Sequence, residues 1–113
     1  MSKRDFRVLL DTLFLLPFLG LVTDEVVMYS LLKLRGAELF YSELSILEAM
    51  WKAVKIVKKE DFGVILEGLR LIKRGLKIAR VDDKAVELAL SLYLMGHRDL
   101  VDNLLYGIAA SQT

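Results

Sequence analysis

Asp11 is the residue whose type and position most plainly could do chemistry. It interrupts the apolar run Val8-Leu9-Leu10-Asp11-Thr12-Leu13-Phe14-Leu15-Leu16. A short aliphatic run ending in an acid has the pattern of a buried strand that delivers a carboxylate to the carboxyl edge of a sheet, where ligands of open α/β folds bind. The same residue would also suit the N-cap of a following helix. Glu48 has a similar double reading: Ser45-x-x-Glu48 matches a capping box, and Lys52 stands four residues on for an ion pair. Asp99 and Asp102 fall where a last helix begins, and acids there are ordinary because the helix dipole favours them. Other chemistries find no support. With no Cys there is no thiol nucleophile, thiolate metal site or disulfide. The single histidine, His97, reads as a loop surface residue, and the chain has no histidine pair for zinc, glycine-rich phosphate loop or serine elbow.

The elements that must position these acids read as follows. Phe6 to Leu10 forms a first strand, followed by a short apolar helix or turn that Pro17 and Gly20 limit. Thr23 caps a helix from Asp24 to Leu34, stopped by Arg35-Gly36, and Ala37 to Tyr41 forms a second strand. Ser42 or Ser45 caps the next helix, whose Leu44, Leu47, Met50, Trp51, Val54 and Val57 form an apolar stripe expected to face the core. Trp51 is therefore expected inside rather than as a stacking platform. Three more helices follow: Asp61 to Arg74, Asp82 or Asp83 to Gly96 with Val86, Leu88, Ala89, Leu92 and Tyr93 available for burial, and Asp99 through Ile108 and Ala109.

With 113 residues, 55% of them apolar, the chain has material for one domain and its core. The net charge of +1 gives no global pull toward polyanions. Its distribution gives some: between Met50 and Arg80 nine cations face three carboxylates, a stretch that would attract phosphates in a salt-dependent way. The start, Lys3, Arg4 and Arg7 ahead of an apolar run to Val22, superficially resembles a secretion signal. Asp5 and Asp11 interrupt it, no small-x-small cleavage site follows, and 15 residues fall short of the ~20 needed to span a bilayer. The expectation is a soluble, cytoplasmic protein with no membrane segment.

Three segments carry a family resemblance. Val8-Leu9-Leu10-Asp11-Thr12, then Tyr41-Ser42-Glu43-Leu44-Ser45-Ile46-Leu47-Glu48, then Asp99-Leu100-Val101-Asp102-Asn103-Leu104-Leu105-Tyr106-Gly107-Ile108-Ala109 resemble, in order, the three acidic motifs of PIN domains. The resemblance implies a predominantly helical three-layer α/β/α fold with a short parallel sheet, and the activity of a metal-dependent endoribonuclease. It also implies the role of toxin in a toxin-antitoxin pair, with an antitoxin protein as partner. By position, Asp11 matches the acid after the first strand, Glu48 the acid in the helix after the second, and Asp102 the acid opening the late helix. Asp99 could share the site. Two departures stand out. Leu13 occupies a position that is often small and polar in the family. The family pattern also continues into a further strand and a Thr-x-Asp segment with a fourth acid, so the expectation is a C-terminally truncated domain.

The implied chemistry suits these residue types. Mg²⁺ or Mn²⁺ takes oxygen ligands, keeps several waters, and needs only a few carboxylates plus substrate phosphate oxygens. Asp11 would be the principal ligand, with Glu48 and Asp102 as ligands to metal or metal-bound water, acting on RNA. The competing expectation is a catalytically inactive PIN-like module for protein interaction or homo-oligomer formation. Convergence of the three acids would favour the first, and scatter the second.

Overall fold

The computed structural model describes residues 7–21 and 25–112. The expected strand start at Phe6 and helix start at Thr23 and Asp24 lie outside the described residues. The chain runs β1 (Arg7–Leu9), α1 (Thr12–Leu15), a 3₁₀ turn (Leu16–Leu19), α2 (Glu25–Lys33), β2 (Glu38–Tyr41) and α3 (Glu43–Ile56). A second 3₁₀ turn (Lys59–Asp61), α4 (Phe62–Gly75), β3 (Lys77–Ile78), α5 (Asp83–Leu94) and α6 (Leu100–Gln112) follow. The fold is mostly helical around a small three-stranded parallel sheet, ordered β1-β2-β3. Val8 lies opposite Leu39, and Phe40 opposite Lys77. Parallel neighbours need crossover connections. Helices supply them: α1 and α2 join β1 to β2, and α3 and α4 join β2 to β3.

Strand pleating sends successive side chains to opposite faces, and each face finds its own helices. Val8, Leu10, Leu39, Tyr41 and Ile78 pack with Leu15, Leu19, Ile46, Ala49, Ala53, Ile65 and Ile72 from α1, the first 3₁₀ turn, α3 and α4. Leu9, Phe40 and Ala79 pack on the other face with Ala85 of α5 and Ile108 of α6. Full burial of an aliphatic side chain such as Leu15, Leu19 or Ile72 stabilises by about 1.5–3 kcal/mol.

Local signals set several boundaries. Gly20 closes the first 3₁₀ turn at φ 87°, a left-handed conformation that costs glycine little. Asp82 caps α5, its Oδ1 accepting from the Ala85 N–H at 2.8 Å. The buried amide of Asn103 donates to the His97 carbonyl at 2.6 Å and so ties the α5–α6 loop to α6. Gln112 receives the Arg80 N–H at 2.8 Å and returns a bond to the Arg80 carbonyl, fastening the end of α6 to the segment after β3. At the amino edge of the sheet Glu38 lies between Arg7, at 3.7 Å, and Lys77, at 2.7 Å. The hydrogen bond from Lys77 holds the Glu38 carboxyl below its ordinary range; desolvation opposes it, and the charges of Lys77 and Arg7 add to the lowering.

Two expectations are corrected. β3 is a third strand that the sequence reading placed in no element; two residues are too few for a period to show. The inward face of α3 is also different from the expected stripe. Ser45, Ile46, Ala49 and Ala53 are buried, whereas Leu47 and Trp51 are 63% and 64% exposed and Val54 faces solvent. The close approach of α1 and the first 3₁₀ turn favours small side chains on the inner face, so large apolar residues are left outside. α5 repeats this: Ala85 and Ala89 are buried, while Val86 and Tyr93, expected inside, are exposed.

Candidate functional site

Asp11 follows β1 at the carboxyl edge of the sheet, as its run of aliphatic neighbours implies. Leu10 extends the pairing by donating its N–H to the Phe40 carbonyl at 2.9 Å, and the chain then turns into α1. The Asp11 side chain is exposed rather than buried, and its Oδ1 accepts from the Leu13 N–H at 3.1 Å as the N-cap of α1. The capping reading is realised, and the residue stands at the sheet edge where the strand reading places it. It borders a cleft of about 400 Å³ between β1 and α2, together with Phe14, Ser30 and Lys33.

Glu48 lies half-buried in the second turn of α3. The capping-box reading is overturned, because Ser42 is the N-cap, its Oγ accepting from the Leu44 N–H at 3.1 Å. Ser45 is one turn inside the helix, fully buried, with no hydrogen-bond partner for its Oγ among the described residues. Glu48 borders an apolar depression of about 380 Å³ with Leu47, Trp51 and Lys52.

Asp99 and Asp102 stand at the start of α6. Asp99 Oδ1 accepts from the Asp102 N–H at 3.1 Å, an N-terminal capping bond. Asp102 is exposed and lines a third depression, of about 400 Å³, with Leu92, His97, Asn103 and Tyr106. The sole histidine and one of the acids thus share a surface.

Asp11, Glu48 and Asp102 each border a different depression. Among the described residues, no three or more His, Cys, Asp or Glu side chains come together as a group able to hold a metal ion. The oxygen donors are of the right chemical type for Mg²⁺ or Mn²⁺, but they do not form a ligand set by themselves.

A further cleft lies at the carboxyl ends of β2 and β3, and its residues carry no site signal in the sequence. Ser42, Glu43, Ile78, Ala79, Arg80 and Val81 line this cleft of about 250 Å³. Burial raises the pKa of the Tyr41 phenol beside it, the Glu43 charge adds to that, and the Arg80 charge works against it. Glu43 lies in the first turn of α3, where an acid is ordinary, and Arg80 follows a strand of two residues, too short to show a period. The nine cations between Met50 and Arg80 are all exposed, and Arg70 and Lys77 are engaged with Glu67 and Glu38. Comparison with family models, with curated proteins and with solved structures finds no match to this chain.

Proposed function

We propose that the chain is a PIN-like domain of the nuclease class, hydrolysing RNA phosphodiester bonds in the cytoplasm with Mg²⁺ or Mn²⁺. The toxin of a toxin-antitoxin pair is the role that fits the family resemblance. One observation carries the reading: in a parallel sheet, an exposed carboxylate stands directly after the first strand, where ligands of such sheets bind. Asp11 is the principal ligand in this proposal, with Glu48, Asp102 and Asp99 as the remaining acids. Because Asp11, Glu48 and Asp102 border separate depressions, the reading rests on Asp11 as the one carboxylate ligand, with waters and substrate phosphate oxygens filling the rest of the Mg²⁺ shell. The exposed cations of α3 and α4 would draw in the phosphate backbone.

Mn²⁺ titration calorimetry on the chain and on Asp11→Asn tests this. A binding event that Asp11→Asn removes, accompanied by Mn²⁺-dependent cleavage of an RNA oligonucleotide, supports it. An absence of Mn²⁺ binding and of cleavage by the wild-type chain overturns it.

A second reading, a PIN-like module working through protein association, is favoured by the separation of the three acids and by a further observation. Leu47, Trp51, Leu90 and Leu94 are large, apolar and more than half exposed. These residues form two exposed apolar patches, one on α3 and one on α5, and exposed apolar patches mark association sites.

A further inference from the structure

The outer faces of α3 and α5 match each other. At about 100° per residue, Leu47, Trp51 and Val54 form one stripe along α3, and Val86, Leu90 and Tyr93 form one along α5 with the same i, i+4, i+7 spacing. All six side chains are exposed. Cations outnumber acids beside the α3 stripe, where Glu48 lies between two lysines around the helix axis, and acids flank the α5 stripe. Lys52 and Lys55 flank the α3 stripe, and Lys55 lies over the Trp51 ring at 5.0 Å. Asp83 and Glu87 flank the α5 stripe. Among the described residues none of these four charges has an ion-pair partner.

The order of charges along the helices also agrees. On each helix these charges sit on the same side of the stripe, and antiparallel packing brings like-sided flanks together. In that orientation Trp51 meets Leu90, Val54 meets Val86, and Lys55 lies toward Asp83 and Glu87. At the other end Glu48 lies toward Arg98, which is held over the Tyr93 ring at 4.7 Å. Both ends of the stripe therefore carry opposite charges in register.

We infer that the α3 stripe is the docking surface for the α5 stripe of a second copy of this chain, in antiparallel orientation. The inference rests on the association reading and deepens it by naming the partner; it needs no metal, and it assigns Glu48, one of the acids of the nuclease reading, to the contact instead. Because the two patches differ, the contact is heterologous: it closes a pair if a two-fold rotation satisfies both contacts, and extends into a chain of copies if it does not.

Trp51 is the sole tryptophan, so its emission reports its own burial. With rising concentration the wild-type chain should self-associate in sedimentation, with a blue shift of emission. Trp51→Glu and Leu90→Glu should each weaken self-association by about 30-fold, as loss of a central apolar anchor does. Both positions are exposed, and circular dichroism verifies that each variant is folded. A mixture of the two variants should form a one-to-one complex, because the intact α5 of the Trp51→Glu copy can still meet the intact α3 of the Leu90→Glu copy. Lys55→Glu and Glu87→Lys should each weaken association by roughly tenfold, and the double variant should restore it.

A wild-type chain that remains monomeric overturns the inference. Self-association with an unshifted Trp51 emission, or unaffected by both glutamate variants, also overturns it while leaving the broader association reading intact. A blue shift that comes only with single-stranded RNA overturns it too, and would make Trp51 a stacking platform.

Discussion

The two faces of the sheet are packed by different means. On the first, Leu15 of α1, Leu19 of the first 3₁₀ turn and Ile72 of α4 are fully buried beside Val8, Leu10 and Leu39, while α3 contributes mainly small residues. On the second, α5 and α6 meet through small residues. Ala85 and Ala89 are fully buried, and a Cβ added at Gly107 would stand 2.6 Å from the Ala85 carbonyl oxygen. The first face draws on side-chain volume at these positions and on one close backbone approach, Gly68 of α4 against the Phe18 carbonyl, where an added Cβ would clash; on the second, α5 and α6 approach each other through small residues. The fully buried side chains of the first face should therefore be sensitive to truncation, and Gly107 on the second to enlargement.

The largest effect is expected for Ile72→Ala on the first face, which removes a fully buried side chain and leaves a cavity. The loss should be about 3–4 kcal/mol in denaturant unfolding. Gly107→Ala on the second face adds one methyl group where the neighbouring atom is backbone and cannot swing away. Overpacking should outweigh the ~1 kcal/mol gained from helix propensity and destabilise by about 1–2 kcal/mol, with earlier amide exchange in α5 and α6 than in α3. If Gly107→Ala were neutral, the contrast between the faces would fail.

The smallest effect tests the sheet that the faces share. The Glu38 carboxyl is held below its ordinary value of 4.5 by Lys77, with Arg7 adding to it. A depressed folded pKa contributes stability that is present above the unfolded pKa and lost as pH falls through the folded pKa. Thermal unfolding of the wild type and of Glu38→Gln should thus differ slightly near neutral pH, and the difference should shrink as pH falls below 4.5. Added salt should reduce it as well, since the pairs are solvent-accessible. A gap that widens in acid would remove Glu38 from any stabilising role.

Much of the chain order was legible in the residues. Leu39, Phe40 and Tyr41 are strand formers between Gly36 and a serine cap, and they form β2. Gly75, Asp82 and Gly96 mark helix boundaries because their effects on the backbone are local. α3 was misread for a physical reason. It is apolar on more than one side, so periodicity nominated the large residues for the core, while its neighbours leave room for Ser45, Ala49 and Ala53. Ser42 and Ser45 were equivalent as capping residues on paper, and only the end of β2 selected Ser42.

For this protein the sequence by itself determined the residue types at stake and their local geometry: an acid after the first strand, capped helices, and a chain of alternating strands and helices. The tertiary structure decided which faces are buried, that a two-residue β3 completes the sheet, and that Asp11, Glu48 and Asp102 border separate depressions. Capping and strand termination act within a few residues and are written in the local sequence. The distance between residues 11, 48 and 102 is set by the packing of helices from distant parts of the chain, and no local pattern encodes it.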